Sequence, residues 1–154
     1  MPGSSTTIYL PYATTVNVQA FVNAAWQERF TITPPSGTPI VFTGSGFYDT
    51  PVGQTRLTTP ATGSSPLGAP VTVAIEHSSD GGRTWQPSQV DSATCQVMFY
   101  SMCIVASEDS GDDTWDDATV YFTWTSLPSA AARRIPTAAT VAAAASATTY
   151  RGRA

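Results

Sequence analysis

The chain has 154 residues, 42% of them hydrophobic and 12% charged, enough for one well-buried domain and too few charges for a set of charged amphipathic helices. There is no lysine. All eleven acids and three of the seven arginines precede residue 127, giving that body a charge of about −8, while Arg133, Arg134, Arg151 and Arg153 make the rest basic, so a polyanion such as nucleic acid is excluded as a partner of the body.

Abundant Thr, Ser, Ala, Gly and Pro suit short strands joined by turns, and the fold class expected is all-β, an antiparallel sandwich of about eight to nine short strands over residues 1–126. Met1-Pro2-Gly3-Ser4-Ser5 has no basic segment leading into an apolar one, so no classical export signal is expected. No run approaches the roughly 18 apolar residues of a membrane span. The expectation is a soluble protein, associated with a virion or a cell surface.

In chain order, Thr6–Leu10 is the first strand candidate. Val16-Asn17-Val18-Gln19-Ala20 alternates apolar and polar residues up to Phe21, as a strand with one buried face does. Arg29–Thr33, Pro39–Thr43, Val71–Glu76, Cys95–Phe99, Met102–Ala106 and Ala118–Trp124 follow, with Pro34–Gly37, Pro51-Val52-Gly53 and Thr59–Pro66 as turns between them. Ser78-Ser79-Asp80-Gly81-Gly82-Arg83-Thr84-Trp85 fits S-x-D-x-G-x-T-W, known as an Asp-box. Its physics is that of a hairpin turn: the aspartate accepts backbone hydrogen bonds, the glycines accept positive φ, and the tryptophan packs under the turn. A single copy indicates a hairpin and not a sialidase propeller.

Catalysis has little support. His77 is the only histidine, which excludes sites needing two imidazoles, and its place at the end of a strand suits a structural role. Gly44-Ser45-Gly46 lacks the spacing of a nucleophile elbow, and no phosphate loop is present. Cys95 and Cys103 are too few for a disulfide scaffold and are expected to be free, buried thiols. The chain is therefore expected to be a non-enzymatic binding module.

Six of the eleven acids, Glu108, Asp109, Asp112, Asp113, Asp116 and Asp117, fall within ten residues. Such crowding is repulsive unless solvent or a cation absorbs it, and oxygen donors on a loop suit a hard ion such as Ca²⁺. The plain alternative is a solvated acidic turn. Asp112 and Asp116 do not make a glycosidase pair, because carboxylates on one loop do not flank a cleft. Val120, Phe122 and Trp124 alternate with Thr119, Tyr121 and Thr123 immediately afterwards, so one end of the loop is fixed by a half-buried strand. Trp115, beside the acids, is the candidate for stacking on a sugar.

Ser107-Glu108-Asp109 through Trp124 resembles the calcium-binding segment of the small bacterial calcium-mediated lectins, which hold fucose and mannose through two adjacent calcium ions. The pattern there is S-E-D, about three residues, D-x-D-x-N-D, then seven residues to Trp. Ile8-Tyr9-Leu10-Pro11, Val16–Phe21 and Asn23 are similar to the first hairpin of that family, and the likeness spans about residues 6–126. It implies a lectin-like fold, glycan binding, and metal ligands at Asn23, Glu108, Asp112, Asp116 and Asp117. Thr114 stands where the family has an aspartate bridging both ions, and a neutral hydroxyl cannot supply that charge; Asp113 is the neighbouring acid available to replace it. Asp116 replaces an asparagine. Ala24 and Ala25 replace small polar residues that hydrogen-bond the sugar, so the sugar contacts implied are at Ala24, Ala25, Asp109 and Thr114, with Trp115 beside them. Family chains end about three residues after the tryptophan, placing a terminal carboxylate on a neighbouring subunit's calcium, whereas this chain continues well beyond that point.

Residues 127–154 are a basic, Ala/Thr-rich extension with too few large side chains for a core. The expectation is that it lies on a neighbouring subunit of a homo-oligomer. That supports an alternative function, a structural or decoration module of a larger assembly such as a phage virion, with the termini as connectors.

Overall fold

A computed structural model describes residues 3–109 and 116–126. Eight strands are present and, among the described residues, no helix. They are β1 (Ser5–Leu10), β2 (Thr15–Thr33), β3 (Ile40–Thr58), β4 (Ala69–Ser78), β5 (Gln86–Pro87), β6 (Gln89–Val97), β7 (Tyr100–Glu108) and β8 (Ala118–Thr125). All pairings are antiparallel and give the order β1-β4-β2-β8-β7-β6, with β3 on β2 and β5 on β4. Gly3 bridges to Val90, whose N–H donates to the Gly3 carbonyl at 2.8 Å. This joins the two ends of the sheet, which is thereby folded on itself into a nearly closed, sandwich-like barrel.

The expected all-β class is the one observed, but the strands are not all short. β2 and β3 have 19 residues each. One edge of β2 is lined by β3 along almost its whole length; the other is shared, Asn17–Val22 pairing with β8 and Gln27–Thr33 with β4. Register shifts between Ala20 and Phe21, Val22 and Ala24, and Ala24 and Glu28 mark the passage from one half to the other. Bulges bend a strand and increase its twist, which lets one strand serve both layers. Arg29–Thr33 is thus the second half of β2 and not a strand of its own. Likewise Pro51-Val52-Gly53 is no turn but part of β3. Proline is tolerated there because β3 pairs with β2 alone and so is an edge strand, and because Pro51 sits at a register shift.

Alternation places Val16, Val18, Ala20, Val22, Phe30 and Ile32 of β2 inside, against Val71, Val73 and Ile75 of β4, Val105 of β7 and Val120 and Phe122 of β8. Each such aliphatic or aromatic side chain contributes about 1.5–3 kcal/mol relative to exposure. β6, a sheet edge, buries only Val90. Cys95 is consequently exposed, contrary to expectation, while Cys103 is buried and its thiol is pushed up by desolvation; both are free.

The Asp-box forms the expected turn. Asp80 Oδ1 accepts from the N–H groups of Arg83 and Thr84, both at 2.9 Å, and from Ser78 Oγ at 2.7 Å, while Oδ2 accepts from Thr84 Oγ1 at 2.6 Å. These bonds, the Thr84 hydroxyl first, hold the Asp80 carboxyl well below the usual carboxylate range. Gly81 and Gly82 have φ of 74° and 88°, which glycine adopts without steric cost. Arg29 joins the turn to β2, lying 4.3 Å from the Trp85 ring centroid and pairing with Glu76 at 2.6 Å.

Phe122 is fully buried in the row shared by β2 and β7. Phe122→Ala is expected to cost about 3–5 kcal/mol, measured by denaturant unfolding; a loss below about 1 kcal/mol would contradict its place in the core.

Candidate functional site

The site forms where the bend of β2 meets the end of β7 and the approach to β8. The last β7–β8 pair is Ser107 with Ala118, so Glu108, still paired with Gln89 of β6, and Asp109, just past the strand, lie beside the incoming Asp116 and Asp117. The Asp109 N–H donates to Asp117 Oδ2 at 2.9 Å. From β2, the Asn23 N–H donates to the Asp117 carbonyl at 2.8 Å, and Asn23 Nδ2 donates to Asp116 Oδ2 at 2.9 Å. Asn23 Oδ1 in turn accepts from the Tyr48 N–H at 2.9 Å.

Carboxyl oxygens of Glu108, Asp109 and Asp117 lie within 4.8 Å of one another. Like charges at that spacing disfavour ionisation. Burial is the main reason the Asp117 carboxyl is raised from 3.8 to about 6; the Asp109 charge adds to it, and the Asp109 N–H partly offsets it. Oxygen-only donors of this kind select a hard cation, not a thiolate- or imidazole-loving metal.

A fourth acid stands beneath them. Glu28 of β2 is fully buried, and no N–H or hydroxyl donor reaches either carboxyl oxygen among the described residues; its side-chain hydrogen bond is carboxyl to carboxyl, with Asp109. Desolvation first, and then the charges of Asp109 and Asp117, push it from 4.5 up to about 9. The β2 alternation explains its orientation: residues 16, 18, 20, 22 and 24 point inward, as do 30 and 32, and Glu28 is in phase with them.

Above the acids lies a cleft of about 280 Å³ lined by Asn23, Ala24, Ala25, Trp26, Phe47, Asp109 and Asp117, near the lower end of small-molecule sites, roughly 300–1,000 Å³. Trp26 is held by stacking on His77, with ring centroids 5.5 Å apart and planes at 26°. His77 is itself buried and bonded through Nδ1 to Ser88 Oγ at 3.0 Å, the structural role expected of it. Phe47 comes from the stretch of β3 that loses register opposite Val22–Ala24, where Tyr48 and Asp49 take φ of 60° and 55°. Non-glycine residues at such φ are uncommon and mark local strain, which clusters at binding sites.

Of the residues singled out from sequence, Asn23, Glu108, Asp109, Asp116 and Asp117 come together, and Ala24 and Ala25 line the cleft. Asp112, Asp113, Thr114 and Trp115 lie outside the described residues, as does the extension at 127–154 with its expected connector role. Glu28, Trp26 and Phe47 were not anticipated. Only Glu28 carried a legible signal, its phase with the β2 core row.

The family model for fucose-binding lectin II (PA-IIL) matches residues 8–126. The chain belongs to this family. Lectins of the PA-IIL family bind carbohydrate without catalysis, and they are calcium-dependent. Among curated proteins none matches. Among solved structures, a high-affinity mannose-binding lectin of Ralstonia solanacearum is similar at 27% identity and a TM-score of 0.61, covering 79% of this chain and 96% of that one. The Chromobacterium violaceum lectin CV2L, in complex with alpha-methyl-fucoside, shares the fold at 21% identity and a TM-score of 0.60, with coverage of 79% and 96%. So does the C-terminal domain of the BC2L-C lectin from Burkholderia cenocepacia, at 24% identity and 0.59, with 83% and 100% covered.

The two raised carboxyls set a pH dependence for this lectin-family chain. Between the ordinary values of 3.8 and 4.5 and the folded values of about 6 and about 9, the folded chain keeps protons that the unfolded chain has released. Their stabilising effect is therefore complete below about pH 4 and is lost as pH rises towards 9. Without cations, the melting temperature is expected to fall by roughly 5 °C or more between pH 5 and pH 9, followed by circular dichroism. A flat or rising profile would contradict this electrostatic picture.

Proposed function

We propose that the chain is a calcium-dependent lectin that binds a monosaccharide in the Asn23–Trp26 cleft. The observation carrying this is the convergence of the Glu108, Asp109 and Asp117 carboxyls with Asn23 directly under that cleft. The donor set fits the ion: carboxylate and amide oxygens from Asn23, Glu108, Asp116 and Asp117, with the repulsion among them left for a cation to relieve. When bound, calcium would supply a centre for sugar hydroxyl oxygens and neutralise the surrounding acids.

The chain's own residues do the rest. Asp109 faces the cleft and accepts hydrogen bonds from sugar hydroxyls, which charge assistance makes strong. Ala24 and Ala25 have no polar side chains and so leave only backbone groups for hydrogen bonding. Trp26 and Phe47, partly exposed at 39% and 57%, offer apolar faces to the C–H side of a sugar ring. Fucose and mannose are the first sugars to test, because the similar structures include a mannose-binding lectin and a complex with a methyl-fucoside.

Calorimetry on chelator-treated protein tests this. Calcium is expected to release or absorb heat, methyl-fucoside or methyl-mannoside to do so only once calcium is present, and chelation to abolish both signals. Asp117→Asn should weaken calcium at least about tenfold, or 1.4 kcal/mol. Absence of heat with calcium and with either sugar would refute the function.

A further inference from the structure

Val97, Met98, Phe99 and Tyr100, where β6 turns into β7, form the longest consecutive run of exposed large hydrophobic side chains among the described residues, each between 49% and 77% exposed. Val97 pairs with Tyr100, so Met98 and Phe99 are the two turn residues, and Gln96 Nε2 donates to the Met98 carbonyl at 3.0 Å across the turn. Met98 holds φ at 55°, which glycine or asparagine adopts at less cost in such a turn. Backbone and exposure both disfavour methionine at this position, the kind of local conflict found where a surface serves binding.

The surroundings of the tip point to its partner. No charged residue occurs from Ser92 to Ser107. The end of β8 lies against the turn, with Tyr100 paired to Thr125 and the Ser126 N–H donating to the Phe99 carbonyl at 2.7 Å. Residues 127–154, with four arginines and no acidic side chain, therefore start beside the apolar tip. Arg133 follows Ser126 by seven residues, at most about 25 Å of extended chain. Arg56, which shares a groove with Tyr100, is in no ion pair among the described residues. The acids are at the other end of the same strand: Glu108 closes β7, about 26 Å from Tyr100 at ~3.3 Å per residue, several times the roughly 8 Å over which physiological salt screens charge. An anionic surface at the tip is thus attracted by the arginines without being repelled by the acidic cluster. A two-residue turn is convex, and four side chains on it cannot supply the roughly 800 Å² per partner of a standard protein interface. They can enter a fluid lipid boundary, which needs no complementary shape.

We propose that the β6–β7 tip is a membrane-insertion loop: Val97, Met98, Phe99 and Tyr100 enter the boundary between headgroups and acyl chains of a bilayer carrying anionic lipid, and the arginines of residues 127–154 supply the attraction to its headgroups. Buried apolar area together with attraction to anionic lipid sets the strength of such interfacial binding, and each arginine close to an anionic leaflet strengthens it about fivefold. Tyr100 suits the outer position, with its ring in the apolar layer and its hydroxyl in water. This attachment is independent of calcium and of the sugar cleft, whose Asp109 and Asp117 lie at the opposite ends of β7 and β8.

The test floats the full chain, with chelator and without sugar, on vesicles of phosphatidylcholine alone and of three parts phosphatidylcholine to one part phosphatidylserine. Partition onto the phosphatidylserine vesicles is expected to exceed that onto phosphatidylcholine alone by about tenfold or more. Met98→Gly combined with Phe99→Ser should weaken it about tenfold or more with an unchanged circular dichroism spectrum, whereas Met98→Leu, still apolar, should retain it. Met98→Gly alone relieves the backbone, and so tests the tip even where the double substitution unfolds; it is expected to weaken partition severalfold without lowering the melting temperature. Wild-type partition that is absent, equal on both vesicles or indifferent to the tip substitutions would overturn the proposal. So would a wild-type chain that self-associates without vesicles and is made monomeric by Met98→Gly, which would assign the tip to a second copy. Because neither calcium nor sugar is present, failure here leaves the lectin function standing.

Discussion

Everything at the site hangs on the bend of β2. A strand of 19 residues that gives one stretch of its edge to β8 and another to β4 cannot stay in register with a single partner, and the shifts between Ala20 and Glu28 are where the mismatch is taken up. Backbone groups released from the ladder there need other partners. The Asn23 N–H finds the Asp117 carbonyl, and the Tyr48 N–H finds the Asn23 side chain. The same irregularity that lets one strand serve both layers therefore ties the acidic segment to the sheet.

The bend also decides what is buried. On either side of it the inward row is apolar, and Val16 to Val22, Phe30 and Ile32 supply hydrophobic stabilisation of roughly 25 cal/mol per Å² of apolar surface removed from water. Glu28 interrupts that row close to the bend, and the acids of the β7–β8 end crowd above it. Stability and charge placement are in direct opposition over a few residues, a conflict expected where a fold keeps a function that its core does not need. The outer row of β2 has no such conflict: Arg29 meets Glu76 and Trp85 in a half-exposed setting, where an ion pair is worth little but costs little.

Local chemistry explains what the sequence made legible. The Asp80 turn depends on bonds spanning at most four residues, and the β8 alternation and the acidic segment are likewise contiguous, so each shows in the string of letters. Resemblance of Ser107–Trp124 and the first hairpin to calcium-mediated lectins then pointed to the fold that the family match and the solved structures share. Non-local register was less accessible. Pro51 reads as a turn until β3 is known to be an edge strand, and Cys95 reads as buried until β6 is known to be one. Trp26 and Phe47 meet at one cleft only because two strands lose register opposite each other. Glu28 was hidden for a different reason: read by polarity, the apolar alternation of β2 stops at Phe21, whereas the inward row runs on to Ala24, is broken by exposed Trp26 at the bend, and resumes at Glu28, Phe30 and Ile32.

On the proposed function, recognition in this cleft differs in kind from one walled by short polar side chains. With alanines at 24 and 25, directional hydrogen bonds must come from carboxylates such as Asp109 and from the backbone, while Trp26 and Phe47 contribute apolar area. Aromatic contact with a sugar tolerates changes in hydroxyl pattern, since the C–H face it covers is common to many rings, whereas a charged acceptor discriminates by hydroxyl position. On the proposed function, selectivity is thereby concentrated in the acids and whatever ion they hold, and affinity is spread over the aromatic walls. The stacking of Trp26 on His77, and the bond from His77 to Ser88, fix one of those walls before any ligand arrives, which lowers the entropy that binding has to overcome.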